Sequence, residues 1–403
     1  MPTDTSSDPT PFQMGPANPQ QHLMAIAQFV ADAFAGGQYV DEISRKYIRD
    51  SHYDWDTSRL IWDDTCLIHH WGVWGYPMRL GPVQLKVAGV GAVATKESYR
   101  KRGLMTMAAT DSLKAMAANG YDLSILRGRH YVKFGYVRAW NYVTYRLTSD
   151  EIPRQDIQYP YEPLGPAHMD AIIALYNKSH EVYSGTAVRP TYRMLEAEDM
   201  GVYGWVDGDG RLAGYVRAVS TDDKKTLQCL EAAGDVRQGV AVLAALFELG
   251  DYDTLTFFTF PHHHPILRFL RRGACVVENR YFDISGWRVR IVNLHSTLTK
   301  LRPVFETRLQ ESAFAEWHGA LHLDAGEQRG TLQIEKGTVQ IVDGTPAAHG
   351  IQGGAALARL LIGSDEPEEI VEQAAMVCTG QAADLAAVLF PNCHPMMSHW
   401  DEY

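Results

Sequence analysis

The residues best placed to do chemistry are Tyr99-Arg100-Lys101-Arg102-Gly103, a basic turn closed by a glycine and followed at once by helical periodicity. Met105, Ala109, Leu113 and Met116 share one helix face, and Asn119-Gly120 ends the helix. Ahead of the turn, Val90 to Thr95 is rich in small and β-branched residues and reads as a buried strand. The first N–H groups of a helix lack intrahelical partners and sit at the positive end of its dipole, which suits a diphosphate. Gly103 would let backbone approach the ligand, and Arg100, Lys101 and Arg102 would add charge. A basic turn before a helix is equally a solvated corner, so these residues alone leave both readings open.

Other residues invite weaker readings. His69 and His70 lie in a strand, point to opposite faces and cannot chelate one metal together, so a structural role is expected. His262-His263-His264 stands where a strand gives way to a helix. Consecutive histidines rarely converge on one ion, and no cysteine or carboxylate sits at ligand spacing, so a helix-entry loop and no metal are expected. Tyr131, in Tyr131-Val132-Lys133-Phe134-Gly135-Tyr136, reads from its surroundings as a packing residue.

These groups must be positioned by a chain of 403 residues, too long for one ordinary core. A helix from Leu23 to about Phe34, a second over Asp41 to Arg49, and strands at 60–62, 65–68, 72–76 and 83–88, with turns at Asp63-Asp64 and Pro77 to Gly81, build a mixed α/β sheet with the opening motif. The order recurs from Ser149 to Asp283: a helix over Met169 to Tyr176, a hairpin of 202–206 and 212–219, an apolar helix over Val240 to Leu249, and a strand at 254–260. Even the turn is echoed, as Asp235-Val236-Arg237-Gln238-Gly239, but Asp235 opposes an anion there. From Gly286 come a helical face (Leu294, Leu298, Leu301, Phe305, Leu309), three strands (320–323, 331–334, 339–341) and helices at 355–361, 367–376 and 382–389. The expected division is a disordered leader at 1–21, then units at 22–148, 149–285 and 286–403.

The net charge of −11 argues against a general nucleic-acid binder and accords with a cationic substrate. Five dispersed cysteines without a C-x-x-C pair suggest reduced thiols and a cytoplasmic setting. The sequence holds neither a signal peptide nor an apolar run of membrane-spanning length, so no membrane association is expected.

The segment Arg100-x-x-Gly103 resembles the acetyl-CoA loop of the GNAT acyltransferases, with Met105 departing from the usual small residue. Together with strand 90–95 and Tyr131-x-x-Phe134-Gly135-Tyr136 it resembles the Eis-type acetyltransferases (enhanced intracellular survival protein). The resemblance implies an α/β (α+β) chain of two tandem GNAT domains, the second degenerate, followed by a sterol-carrier-protein-like α+β domain. It implies acetyl-CoA as cosubstrate, held by Val93, Ala94, Thr95, Arg100, Lys101, Arg102, Gly103, Leu104, Met105, Thr106, Leu126 and Arg127. Tyr131 would be the general acid and the C-terminal carboxylate of Tyr403 the general base. Asp41, Trp55 and Glu402 would face an amine such as an aminoglycoside, a polyamine or a lysine side chain. A homo-oligomer, often a hexamer, is the family's assembly. The rival reading is a non-catalytic scaffold or lipid-binding protein using the third domain. The chemistry has a constraint of its own: an alkyl ammonium near pKa 10 is roughly 6–7 units too weak an acid for direct deprotonation by an α-carboxylate. A relaying water or a lowered amine pKa is required.

Overall fold

The computed structural model describes residues 12–191 and 200–402. Among the described residues nineteen strands form three sheets. The first holds β1 (Gln13–Pro16), β2 (Arg59–Asp63), β3 (Cys66–Leu80), β4 (Val83–Thr95), β5 (Leu123–Arg127) and β6 (Val137–Arg138). β7 (Tyr142–Thr148) leaves it for the second sheet, which also contains β8 (Tyr161–Pro163), β9 (Val202–Val206), β10 (Leu212–Ser220), β11 (Thr226–Ala233), β12 (Thr254–Phe258) and β13 (Val276–Arg280). β14 (Trp287–Ile291) returns to the first. The spatial orders are β1-β2-β3-β4-β5-β14-β6 and β8-β9-β10-β11-β12-β7-β13. The two sheets therefore repeat one order and exchange their sixth strands. The third sheet contains β15 (His318–Asp324), β16 (Arg329–Glu335), β17 (Thr338–Asp343), β18 (His349–Gln352) and β19 (Val377–Thr379).

The helices are α1 (Pro19–Phe34), α2 (Val40–Glu42, continuing as a π-helical turn to Arg49), α3 (Leu104–Ala118), α4 (Met169–Ser179), α5 (Val236–Leu249), α6 (Pro265–Leu270), α7 (Leu294–Gln310), α8 (Leu357–Ile362), α9 (Pro367–Gln373) and α10 (Ala382–Leu389). α1 starts inside the segment expected to be a leader: Asn18 caps it by accepting from the N–H groups of Gln20 and Gln21, and Pro19 fills the first position. Just before it, Gln13–Pro16 pairs with β2. The expected gap between 68 and 72 and the turn beginning at Pro77 do not occur, and β3 runs unbroken from Cys66 to Leu80. Pro77 has its carbonyl facing residue 188, where a segment of the second unit docks. α7 contains Pro303 and stays one helix, its apolar side joining the third sheet. β18 and β19 were not expected.

The core of the third unit is continuous with the first sheet: Leu85, Ile125, Trp287 and Val289 belong to one buried cluster with Leu294, Leu298, Leu321 and Ile351. Arg79 ties the first and second units, donating to the carbonyl of Ala187 at 2.5 Å and to Asn177 Oδ1 at 2.9 Å.

Five histidines are buried among the described residues, and four of them, His69, His70, His180 and His264, lie within the first two units. Burial pushes them down to about 3, 4, 3 and 4 respectively, so each is neutral in the fold. Above pH 6.5 both folded and unfolded chains leave them neutral and their contribution is complete. As pH falls below 6.5 the unfolded chain takes up protons that the fold refuses until about pH 3–4. Stability should therefore drop through that window by about 1.4 kcal/mol per pH unit for each fully titrating histidine. Urea unfolding at pH 7 and pH 5 should differ by about 7 kcal/mol in full, and by about 3.5 kcal/mol if half of that is lost to relaxation. A flat profile across the window would show that these rings are not held neutral.

Candidate active site

β4 and β5 pair in parallel through only three couples, Val87–Leu123, Ala88–Ser124 and Gly89–Ile125. Beyond these, β4 continues to Thr95 along β3, and β5 continues to Arg127 along β14. A register shift in the β3–β4 ladder between His70 and Gly72, and a positive φ of 48° at Ala92, mark the bend in β4 where the two strands part.

Past the parting lies a cavity of about 850 Å³. Its walls are the end of β4 (Val93, Ala94, Thr95), the turn (Arg100, Lys101, Gly103), the first turn of α3 (Leu104, Met105, Thr106), Tyr131, and the end of α1 with Phe29, Asp32 and Phe34. Lys101 and Gly103 take left-handed φ values of 63° and 80°. A Cβ on Gly103 would meet nothing within 4 Å, so conformation rather than space asks for glycine. The Gly103 carbonyl accepts from the N–H groups of Thr106 and Met107, and no side chain caps α3. The N-terminus of α3 thus faces the cavity without a carboxylate or hydroxyl of its own chain upon it, which suits an incoming phosphate. These features fit the diphosphate and pantetheine arm of a coenzyme A thioester.

The expected cofactor residues divide into two groups. Nine line the cavity: Val93, Ala94, Thr95, Arg100, Lys101, Gly103, Leu104, Met105 and Thr106. Arg102 turns away, with its guanidinium 5.1 Å from the Tyr99 ring and an N–H donating to the Ser98 carbonyl. Leu126 is packed in the core beneath. Arg127 lies over Trp287 at 4.8 Å, donates to Tyr142 Oη, and pairs with Glu402 at 3.3 Å. Asp41 is exposed, and neither it nor Trp55 lines the cavity, although Trp55 packs in the same cluster as Phe29. The α1 wall, His130 and Lys133 were not anticipated; an amphipathic helix carries no mark of which cavity its end will meet.

Tyr131 stands edge-on to Trp71, ring centroids 5.7 Å apart. Burial pushes its phenol up to about 12. That keeps the proton on at every physiological pH and also makes the group a weaker acid than the free side chain. Beside it, Trp71 Nε1 is buried with no hydrogen-bond partner among the described residues. His69 meets Thr95 Oγ1 at 2.7 Å on the cavity side, while His70 turns to the opposite face and meets Tyr53 Oη at 2.8 Å.

The C-terminal tail arrives at the same place. Tyr403 lies outside the described residues, but the residues before it are firmly held. Asp401 is fully buried against Arg189 (3.0 Å), Thr191 Oγ1 (2.7 Å) and Tyr176 Oη (3.1 Å). Arg189 grips Glu231 with two bonds of 2.8 and 2.6 Å and stacks 3.4 Å from the Tyr176 ring centre. Burial alone would lower Arg189 and raise Glu231; the pairing outweighs it, so Arg189 is raised and Glu231 lowered, and the ion pair is intact. Trp400 lies under Arg217 at 4.1 Å. Glu402 then meets Arg127, and the next residue, Gly128, lies under Tyr131: a Cβ there would be 3.6 Å from its ring.

The second sheet repeats the strand–turn–helix, with β11 and β12 paired in parallel from Thr226–Thr254 to Cys229–Phe257. Here the helix start is taken: Asp235 caps α5 by accepting from the Gln238 N–H at 2.8 Å. A carboxylate occupies the position an anion would need.

Residues 19–139 match the family of acetyltransferase (GNAT) domains. No curated protein is significantly similar to the chain in sequence. Among solved structures, the fold is similar to a GCN5-related N-acetyltransferase from Anabaena variabilis (TM-score 0.75, 17% identity, 96% of this chain and 99% of that one). It is similar also to a probable N-acyltransferase from Enterococcus faecalis (0.72, 16%, 96% and 99%) and to Eis1 from Mycobacterium abscessus (0.69, 16%, 96% and 99%). The chain therefore carries a GNAT acetyltransferase domain within a mixed α/β fold of further sheets. Among the described residues no helix is long and apolar enough to cross a membrane.

The clamp on the tail is testable. Arg189→Met would strand two buried carboxylates, and a loss of about 3–5 kcal/mol is expected in denaturant unfolding. Asp401→Asn keeps the Arg189–Glu231 pair and should cost less, while raising hydrogen exchange in residues 398–402 without changing exchange in the first sheet. Equal exchange in Asp401→Asn and the parent would show that the clamp does not hold the tail.

Proposed function

We propose that the acetyltransferase domain moves an acetyl group from acetyl-CoA to a primary amine, with Tyr131 as general acid and the carboxylate of Tyr403 as general base. The observation that carries this reading is the single cavity shared by the end of β4, the Gly103 turn and Tyr131. The parted strands offer backbone N–H and C=O groups on facing edges, the complement of an extended chain containing two amides. Bound acetyl-CoA supplies the thioester. Arg100 and Lys101 hold its diphosphate, with the open start of α3 between them. A backbone N–H on Val93–Thr95 stabilises charge on the acyl oxygen.

Tyr131 returns a proton to the departing sulfur. With the phenol near 12 and a free thiol near 8.5, that transfer is roughly 3–4 units uphill in isolation. Desolvation acts on both: a thiolate confined beside Trp71 is also made more basic, which narrows the gap. The tail supplies the base. Asp401 and Trp400 anchor it, and Glu402 pairs with Arg127, the neighbour of the Gly128 that lies under Tyr131. The Tyr403 carboxylate acts on the amine through a water, for the energetic reason given above. Glu402 and the net charge of −11 favour a cationic substrate of the aminoglycoside, polyamine or lysine class, while Asp41 stands outside the cavity.

The third unit, read as sterol-carrier-protein-like from its order of strands and helices, serves here to present the tail. Its apolar residues pack on one another and on the first sheet, which favours this over a lipid carrier. A homo-oligomer in the cytoplasm completes the reading.

Thiol release from acetyl-CoA with a panel of amines tests it. Tyr131→Phe and removal of Tyr403 should each lower kcat roughly 100-fold or more with little change in KM for acetyl-CoA. Arg100→Glu should raise that KM instead. Full activity without Tyr403 would eliminate the C-terminal base, and failure to bind acetyl-CoA at all would favour the scaffold reading.

A further inference from the structure

Three imidazoles that acetyl transfer does not use meet where the second unit touches the tail. His262 and His263, in the loop between β12 and α6, and His394, at the start of the tail, each offer a ring nitrogen, and the three nitrogens lie within 4.8 Å of one another. His262 stacks on His394 with centroids 4.3 Å apart, and His263 stands edge-on to both at 4.8 and 5.2 Å. His264 takes no part: its ring accepts from the Ile266 N–H at the start of α6 and meets the Ala232 carbonyl. Adjacent histidines seldom converge on one ion, which argued against a metal at this run. Here two of the three are joined by a ring from the far end of the chain.

The hydrogen bonds define the lone pairs. Arg271 has only donors, and its Nη1 lies 3.1 Å from His262 Nε2, so Nε2 is the acceptor and Nδ1 carries the proton. Nδ1–H then donates to Tyr145 Oη at 2.7 Å. A ligating imidazole commonly has its second ring nitrogen tethered to an oxygen in this way. The guanidinium stands where a cation would, and it also holds the His262 and Leu267 carbonyls, so it can release Nε2 and keep two bonds. Burial, first among the causes, lowers all three histidines, leaving each ring neutral with one bare nitrogen at neutral pH. Arg271 and Arg268 oppose a cation here, and Glu366 and Asp365 near His394 favour one.

We propose that His262, His263 and His394 bind one divalent cation of the zinc class, tying the tail to the β12–α6 loop, with the fourth position open to water. An all-imidazole set suits zinc, copper or nickel rather than magnesium or calcium. Bonds of about 2.0–2.1 Å require tetrahedral nitrogens roughly 3.4 Å apart, so the rings must close by up to about 1.4 Å from the 4.8 Å within which they lie. His263 is exposed and can rotate to do so. The site is independent of whether the neighbouring domain acetylates amines.

Chelator-treated, desalted full-length protein should bind one Zn²⁺ per chain in calorimetry and give the intense visible band of four-coordinate Co²⁺. His394→Ala should weaken binding at least about tenfold. His263→Gln, at an exposed position that does not threaten folding, should do the same. Absence of a one-to-one site in the parent protein, or an affinity that both substitutions leave unchanged, would overturn the proposal.

Discussion

The site depends on two parallel strands being prevented from zipping together. β4 and β5 pair for three residues and then separate, because each is claimed on its outer side: β4 by β3 through the bend at Ala92, and β5 by β14. A strand edge facing a gap leaves polar backbone without its natural partner, and such an edge persists only if water or a ligand serves it. The wedge is therefore a backbone-lined slot, and its chemistry comes from whatever surrounds the mouth. The Gly103 turn lies at one side, Tyr131 at the other, and the tail arrives beyond it.

Keeping β5 in place is a task shared across the chain. β14 comes from the far side of the second unit, and β7 makes the reciprocal crossing into the second sheet. Neither sheet is complete without a strand carried over from the other. This interlocking gives the tail a fixed reference. Asp401 is bound to Arg189, which is bound to Glu231 on β11, while Arg79 on β3 holds the segment leading to Arg189. Surface ion pairs contribute little, but this one is fully buried, so its value lies in the cost of any arrangement that separates it. A tail held by apolar contact alone could slide; a tail whose carboxylate must meet one guanidinium cannot do so cheaply.

Much of this was legible in the sequence, and the gaps have physical causes. The turn at Gly103, α3, the repeat of strand order and the helices of the third unit follow from periodicity and caps, which are local. β3 was misread as two pieces, 65–68 and 72–76, followed by a turn from Pro77 to Gly81, because Gly72 and Pro77 look like boundaries. Gly72 and Gly75 are small for packing: a Cβ on Gly75 would sit 2.3 Å from Tyr121 Oη, and one on Gly72 2.9 Å from the Gly91 carbonyl. The crossing of β14 could not be foreseen, since a five-residue strand of alternating apolar residues and arginines does not say which sheet it joins. The resemblance made Arg127, at the end of β5, a cofactor residue; its partner Glu402 lies at the other end of the chain. Pairings between distant segments are what a single sequence hides best.

The two sheets provide an internal control on the importance of the turn. Both present a parallel pair, a turn and a helix in the same order. In the first, Gly103 leaves the helix start open to the cavity; in the second, Asp235 closes it with an internal hydrogen bond. The cap makes α5 better satisfied by itself, since an N-cap aspartate stabilises a helix by about 1 kcal/mol. It also fills the space and reverses the charge that a phosphate would need. α3 forgoes that cap, and its first turn is less stable alone than with an anion in place. The same local choice, a capping side chain or none, thus separates a helix finished within its own chain from one that is completed by a ligand.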